Sequence, residues 1–249
     1  MRYFVELSYK GTAYHGWQSQ QNAKAVQPLI EAAFSKVLRE EIELTGAGRT
    51  DTGVHASYYM AHFDSKKENL HEKGKMLSGV NALLPFDIAI YSIRKVKPDA
   101  HARFSALWRD YEYHIVFKKD PFKTDLAWHL KIKPDIKAMN QASLLLLKQN
   151  DFASFCKAHS DNKTTICHVT RAEWIETDDE LVFHIRADRF LRNMVRAIVG
   201  TLLDVGNRKI TLNDFKQVLK EKSRSKAGIS VPAHGLFLTG IGYLENLKE

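Results

Sequence analysis

The chain has 249 residues, 44% of them hydrophobic and 27% charged, with 37 Lys and Arg against 29 Asp and Glu for a formal charge of +8; such a composition excludes a mainly disordered state and suits one large domain or two small ones. No run approaches the ~18 apolar residues of a membrane span, the opening MRYFVELSYK lacks the basic-then-apolar layout of a secretory signal, and two cysteines, Cys156 and Cys167, cannot make a disulfide framework. A soluble, cytoplasmic chain with reduced thiols is expected, and its positive excess favours an acidic partner, nucleic acid before any other.

Residues 3 to 8 alternate, with Tyr3, Val5 and Leu7 on one face and Phe4, Glu6 and Ser8 on the other, which predicts a strand before the Lys10-Gly11 turn. Leu29, Ile30, Ala33, Phe34, Val37 and Leu38 then recur at helical spacing, with Pro28 in the first turn. Residues 42–44 and 54–63 read as strands with glycine-rich turns between them, 77–84 as a helix stopped by Pro85, and 88–96 as a strand. The first half is therefore roughly β-α-β-β-α-β. The second half resembles it in order: a strand over 108–117, a helix over 135–149, and a strand pair over 168–176 and 181–187. A helix over 189–205 follows, in which Phe190, Met194, Val195, Ile198, Leu202 and Leu203 keep the period. Thr211 and Asp214 form a capping box for a short helix through Leu219, 222–230 reads as a mobile basic loop, and 236–243 closes as a strand. With no linker-like stretch and no shift of composition near residue 105, the expectation is an α+β fold of two related halves, 1–105 and 106–249, sharing a long antiparallel sheet.

Chemistry concentrates in residues 46–56, GAGRTDTGVHA, a loop between two predicted strands. Its glycines let the backbone turn tightly and let a large ligand come close. The spacing is wrong for a dinucleotide fingerprint, and the loop leads into a strand, so no helix N-terminus faces a phosphate. Two readings stay open for Asp51. It can be a turn residue bonded to nearby backbone amides, or a lone carboxylate beside Arg49, kept ionised by that cation and able to attack a sugar carbon. Its isolation counts against a metal-dependent nuclease, which needs clustered carboxylates, whereas the nearest acidic neighbours are Glu43 and Asp64.

The run GRTDTGVHA at 48–56, with YKGTAYHGWQ at 9–18, resembles the TruA family of tRNA pseudouridine synthases. Further matches follow in order nearly to the end: NALLP at 81–85, ARFSA at 102–106, RDYEY at 109–113, DFASF at 151–155, FLRNMVR at 190–196 and GLFL at 235–238. The resemblance implies the pseudouridine synthase fold and isomerisation of uridines at positions 38, 39 and 40 of the tRNA anticodon stem-loop. It also implies a homodimer holding one tRNA across both subunits, with no metal or redox cofactor and no role for DNA or a membrane. It makes Asp51 the catalytic aspartate and Tyr111 the active-site tyrosine, a ring for the extruded uracil and a phenol for the C5 proton. Arg196 becomes the ion-pair partner of the aspartate. Arg49 becomes the side chain that fills the helix stack when the target base leaves, partly offsetting an extrusion that costs about a few kcal/mol. Asn193 stands where the family commonly has His.

Plainer readings hold elsewhere. Tyr113 shares the strand face of Tyr111 and reads as core. Arg189 and Arg192, beside Arg196 on the polar side of the 189–205 helix, are phosphate contacts or bare surface. His55 could act as a general base, but a packing or hydrogen-bonding role is preferred. Cys156, His159, Cys167 and His168 invite a zinc reading, yet the adjacent Cys167-His168 pair is awkward for tetrahedral ligation, so packing and surface roles are favoured. Lys157, Lys163, Arg171, Lys220, Lys222, Arg224 and Lys226 are candidates for an RNA backbone. Two rival functions remain: a non-catalytic RNA-binding protein, and a nuclease using His55 with Asp51, which would shorten its substrate.

Overall fold

The computed structural model describes residues 1–21, 23–72, 74–157 and 163–247. They fold as an α+β chain whose strand pairing is mostly antiparallel, and the chain divides into two units, Met1–Trp108 with Phe237–Glu249, and Arg109–Leu236.

In the first unit β1 (Arg2–Tyr9) lies between β3 (His55–Asp64) and β4 (Ile88–Val96), antiparallel to both. Its alternating residues Tyr3, Val5, Leu7 and Tyr9 are buried. Phe63 stacks on Tyr3 at 5.6 Å and meets Phe34 at 5.1 Å, which joins the sheet to the buried stripe of α1 (Val26–Leu38); each such side chain contributes roughly 1.5–3 kcal/mol by leaving water. The helix begins two residues ahead of Pro28 and ends at Arg39, which takes a left-handed φ of 51°. The strand expected over 42–44 is not there. The Ile42 and Leu44 N–H groups donate instead to side chains of α1, Ser35 Oγ at 2.9 Å and Glu31 Oε1 at 2.8 Å, and only β2 (Thr45–Gly46) pairs with β3. α2 (Gly74–Leu83) is tied to β4 by Asn81, whose side chain accepts from the Ile90 N–H and donates to its carbonyl, both at 2.8 Å, as a neighbouring strand would. β9 (Leu236–Tyr243) runs parallel to the start of β3, with His55 opposite Phe237.

In the second unit β8 (Glu180–Ala187) lies between β5 (Ala106–Val116) and β7 (Val169–Glu176), antiparallel to both, and β6 (Trp128–His129) pairs parallel with the end of β5. Tyr113 and Ile115 of β5 are buried, and the alternate residues carry charge. Asp110 takes a two-pronged bond from Arg186 at 2.6 and 2.5 Å, while Glu112 lies 3.3 Å from both His114 and His184. Those histidines pull the Glu112 carboxyl down to about 2. α3 (Ile136–Leu146) is capped by Asp135, and α5 (Leu212–Glu221) has the expected capping box of Thr211 and Asp214.

Two expectations here need correction. The helix predicted over 189–205 is α4 (Met194–Gly206), because Asn193 sits at φ 67°, a left-handed conformation that Asn tolerates and a helix does not continue through. Arg189 and Arg192 therefore lie ahead of the helix. The 222–230 stretch is also not a loose loop. Arg224 is half-buried, which lowers its guanidinium from the ordinary value, and it donates to the Gly228 carbonyl at 2.9 Å and to Ser230 Oγ at 2.8 Å. The Gly228 N–H donates in turn to Thr201 Oγ1 of α4 at 2.9 Å.

Candidate active site

The loop between β2 and β3 is held from beneath by residues 9–17. Tyr59 of β3 donates to the Gly48 carbonyl, and the Tyr9 phenol shares a buried hydrogen bond of 2.9 Å with Thr50 Oγ1. The Gly53 N–H reaches the Tyr14 carbonyl at 3.2 Å, and Val54 N–H closes a turn onto the Asp51 carbonyl at 3.2 Å. Rings fill the space below: Trp17 stacks on Tyr59 at 4.2 Å, and Tyr9 meets Tyr59 edge-on at 5.6 Å. Gly16, at φ 91°, lies so close to the Thr50 carbonyl that any Cβ would collide with it. Such anchoring fixes a loop backbone to the tolerance that chemistry on a bound group requires.

On that base Thr50 is buried, while its neighbours differ: Arg49 is exposed and Asp51 is half-exposed. The loop thus offers a carboxylate and a guanidinium, with a buried residue between them fixing both. His55 closes the loop. Its Nδ1 accepts the Gly11 N–H at 2.9 Å and its ring stacks on Phe237 at 4.5 Å, and it is 1% exposed. A ring so enclosed, with one nitrogen committed as an acceptor, serves packing and hydrogen bonding, as expected. Tyr14 adds a second tie, donating to Asp87 Oδ1 at 2.5 Å; burial and that carboxylate push its phenol well above the ordinary value.

In the second unit Tyr111 is half-buried on β5 and meets Phe190 edge-on at 5.0 Å. Tyr113, two residues on, is fully buried, donates to the Pro232 carbonyl at 2.9 Å, and has its phenol raised by burial; it is core, as read. Arg196, in the first turn of α4, uses Nε to donate to the Val231 carbonyl at 2.6 Å. Its planar head is thereby oriented by the 227–231 segment.

The family model described as tRNA pseudouridine synthase matches residues 7–105 and 142–243. The chain belongs to the tRNA pseudouridine synthase family. Its relatives include proteins named tRNA pseudouridine synthase A from Bacteroides thetaiotaomicron, 48% identical over 99% of this chain and 92% of that one, and from Parabacteroides distasonis, 49% identical over 99% and 97%. A more distant one, from Thermoanaerobacter pseudethanolicus, is 40% identical over 96% and 98%.

As a tRNA pseudouridine synthase, the chain presents both stretches of the resemblance, 9–18 and 48–56, as a single object: the first is the support of the second. The brace formed by Tyr9, Tyr14, Trp17 and Tyr59 was not identified from sequence, where residues 9–18 carried only a motif match. Of the group that invites a zinc reading, the structure describes Cys156, Cys167 and His168. Cys167 is buried, its thiol pushed up to about 12 by that burial, whereas His168 beside it is exposed; His159 lies outside the described residues. Among the described residues no group of three or more His, Cys, Asp or Glu side chains could hold a metal ion. Of the cations proposed for RNA, Arg171 pairs with Glu173 at 2.6 Å and Lys222 with Asp151 at 2.8 Å, and Arg224 is a structural residue of its own segment. Among the described residues no helix is long and apolar enough to cross a membrane.

Proposed function

We propose that the chain isomerises uridine to pseudouridine at positions 38, 39 and 40 of the tRNA anticodon stem-loop, in the cytoplasm, as a homodimer acting on tRNA and not on DNA. Family membership supports the reaction class. The observation that carries the residue assignment is the anchored loop, which presents half-exposed Asp51 two residues from exposed Arg49. Asp51 is the nucleophile: its carboxylate bonds to C1′ as the C1′–N1 bond breaks, the freed uracil turns, C5 bonds to C1′ and releases the carboxylate, and the proton lost from C5 is matched by one gained at N1. The balance is an isomerisation, so the proposed chemistry calls for no metal or redox cofactor.

Reaching C1′ and C5 of a stacked base requires extrusion, which costs about a few kcal/mol. Arg49 enters the stack and offsets part of that loss. Tyr111 and Arg196 complete the proposed substrate-binding set, Tyr111 as a ring for the uracil whose phenol takes the C5 proton directly or through water, Arg196 as a cation for the anionic reacting groups. In this division the N-terminal half, 1–105, carries the catalytic loop, and the C-terminal half, 106–249, carries the tyrosine and the arginine helix.

Tritium release from C5-labelled uridine in tRNA is the direct test. Wild type is expected to release label without shortening the RNA, and Asp51→Asn to release none above background. Absence of release from wild type sinks the enzyme reading, and fragments of the substrate would point to a nuclease.

A further inference from the structure

The 102–106 motif has no task in the reaction above, yet its backbone is tied by several hydrogen bonds. Within the turn the His101 N–H donates to Ser105 Oγ at 3.0 Å and the Ser105 N–H returns to the His101 carbonyl at 2.9 Å. His101 Nδ1 accepts the N–H groups of Arg103 at 3.1 Å and Phe104 at 3.2 Å. From the sheet, His62 Nδ1 accepts the Ala102 N–H at 3.1 Å, and the Tyr243 phenol donates to the Ala102 carbonyl at 2.6 Å. Two side chains of this ordered turn are exposed. Arg103 is exposed, and Phe104 is 76% exposed. The Arg103 guanidinium lies 5.6 Å from the Phe104 ring centroid, and the His101 ring meets the same ring at 4.3 Å.

An apolar ring held rigidly in water gains free energy only when something covers it. A single mounted aromatic with a cation beside it matches the surface on which proteins stack unpaired bases while neutralising the adjoining phosphate. We propose that Phe104 and Arg103 form a docking platform for one unpaired nucleobase of the tRNA substrate, the ring stacking on the base and the guanidinium meeting its phosphate. The inference rests on the reading of this chain as a tRNA-acting enzyme. RNA is favoured over a protein occupant because the chain carries a formal charge of +8 and the guanidinium beside the exposed ring suits the phosphate that accompanies every base. The ordering cost on the protein side is already met in the free chain, so the contact loses little entropy on binding.

Binding of unmodified tRNA to the full chain, measured by anisotropy, tests this. Phe104→Ala is expected to weaken Kd by about five-fold or more, and Phe104→Leu by as much, because Leu keeps apolar bulk without a π face. Phe104→Trp keeps wild-type affinity and adds an indole fluorescence that tRNA quenches. Arg103→Gln reduces the slope of log Kd against log salt by about 1. Wild-type affinity in Phe104→Ala, or rescue by Leu equal to that by Trp, overturns the platform. A changed oligomeric state in Phe104→Ala with tRNA affinity intact assigns the ring to a second copy of the chain and overturns it equally. If wild type itself binds no tRNA, the functional reading falls and takes this proposal with it, an outcome distinct from indifferent Phe104 variants.

Discussion

Between Arg49 and Asp51 stands Thr50, whose hydroxyl is where the loop meets the core. Its hydrogen bond with Tyr9 is buried, and a buried hydroxyl that loses its partner costs about 1–3 kcal/mol, whereas replacing both partners by apolar groups of the same shape is nearly neutral. Tyr9→Phe is therefore expected to lower the unfolding free energy in urea by about 1–2 kcal/mol and to slow turnover. Adding Thr50→Val to Tyr9→Phe should recover most of the stability. Equal losses in the single and double variants would mean that the hydroxyl pair does not hold the loop. The outward-facing half of this arrangement was legible in the sequence, since Arg49 and Asp51 stand in one contiguous motif. The inward half was not: Tyr9 lies 41 positions from Thr50, and nothing in a linear pattern marks the two as partners.

Among the elements, β3 carries a pH-sensitive tie. Burial lowers His62 from its ordinary 6.5 to about 4, with Arg2 and His101 adding to the effect and Asp64 opposing it. The folded chain keeps the ring neutral, with Nδ1 accepting the Ala102 N–H. Below its ordinary value the unfolded chain takes up a proton that the folded chain refuses, so stability is full above pH ~6.5 and declines as pH falls toward ~4. The contribution is at most about 3 kcal/mol. Urea unfolding at neutral pH and near pH 4 should reveal that decline, and His62→Gln should remove most of this part of it; an unchanged slope in the variant would clear His62 of the effect. Elements with a simple period were legible, and β4 and β9 fall where alternation put them. The start of α4 was not, because Phe190 and Leu191 continue the helical period while serving other ends: Phe190 packs on Tyr111 and Leu191 is buried ahead of the helix. Periodicity records which residues are apolar. It is silent on the left-handed turn at Asn193.

For the whole molecule, net charge sets the attraction and ion pairs decide where it is available. Arg2 is engaged with Asp64 at 2.8 Å, Arg94 with Glu6 at 2.9 Å and Arg186 with Asp110 at 2.5 Å, so the formal +8 is not spread evenly over the basic side chains. If the tRNA footprint neutralises about four phosphates, affinity should fall roughly a hundredfold between 50 and 200 mM salt. A near-flat titration would contradict an extended backbone contact. The order of β9 has another consequence. The strand whose Phe237 stacks on His55, at the foot of the 48–56 loop, is Leu236–Tyr243, made after most of the chain. A nascent chain that has already emerged as far as residue 108 still lacks this partner. During translation the loop around Asp51 therefore lacks this packing until a late-made strand emerges, long after Asp51 itself has been synthesised.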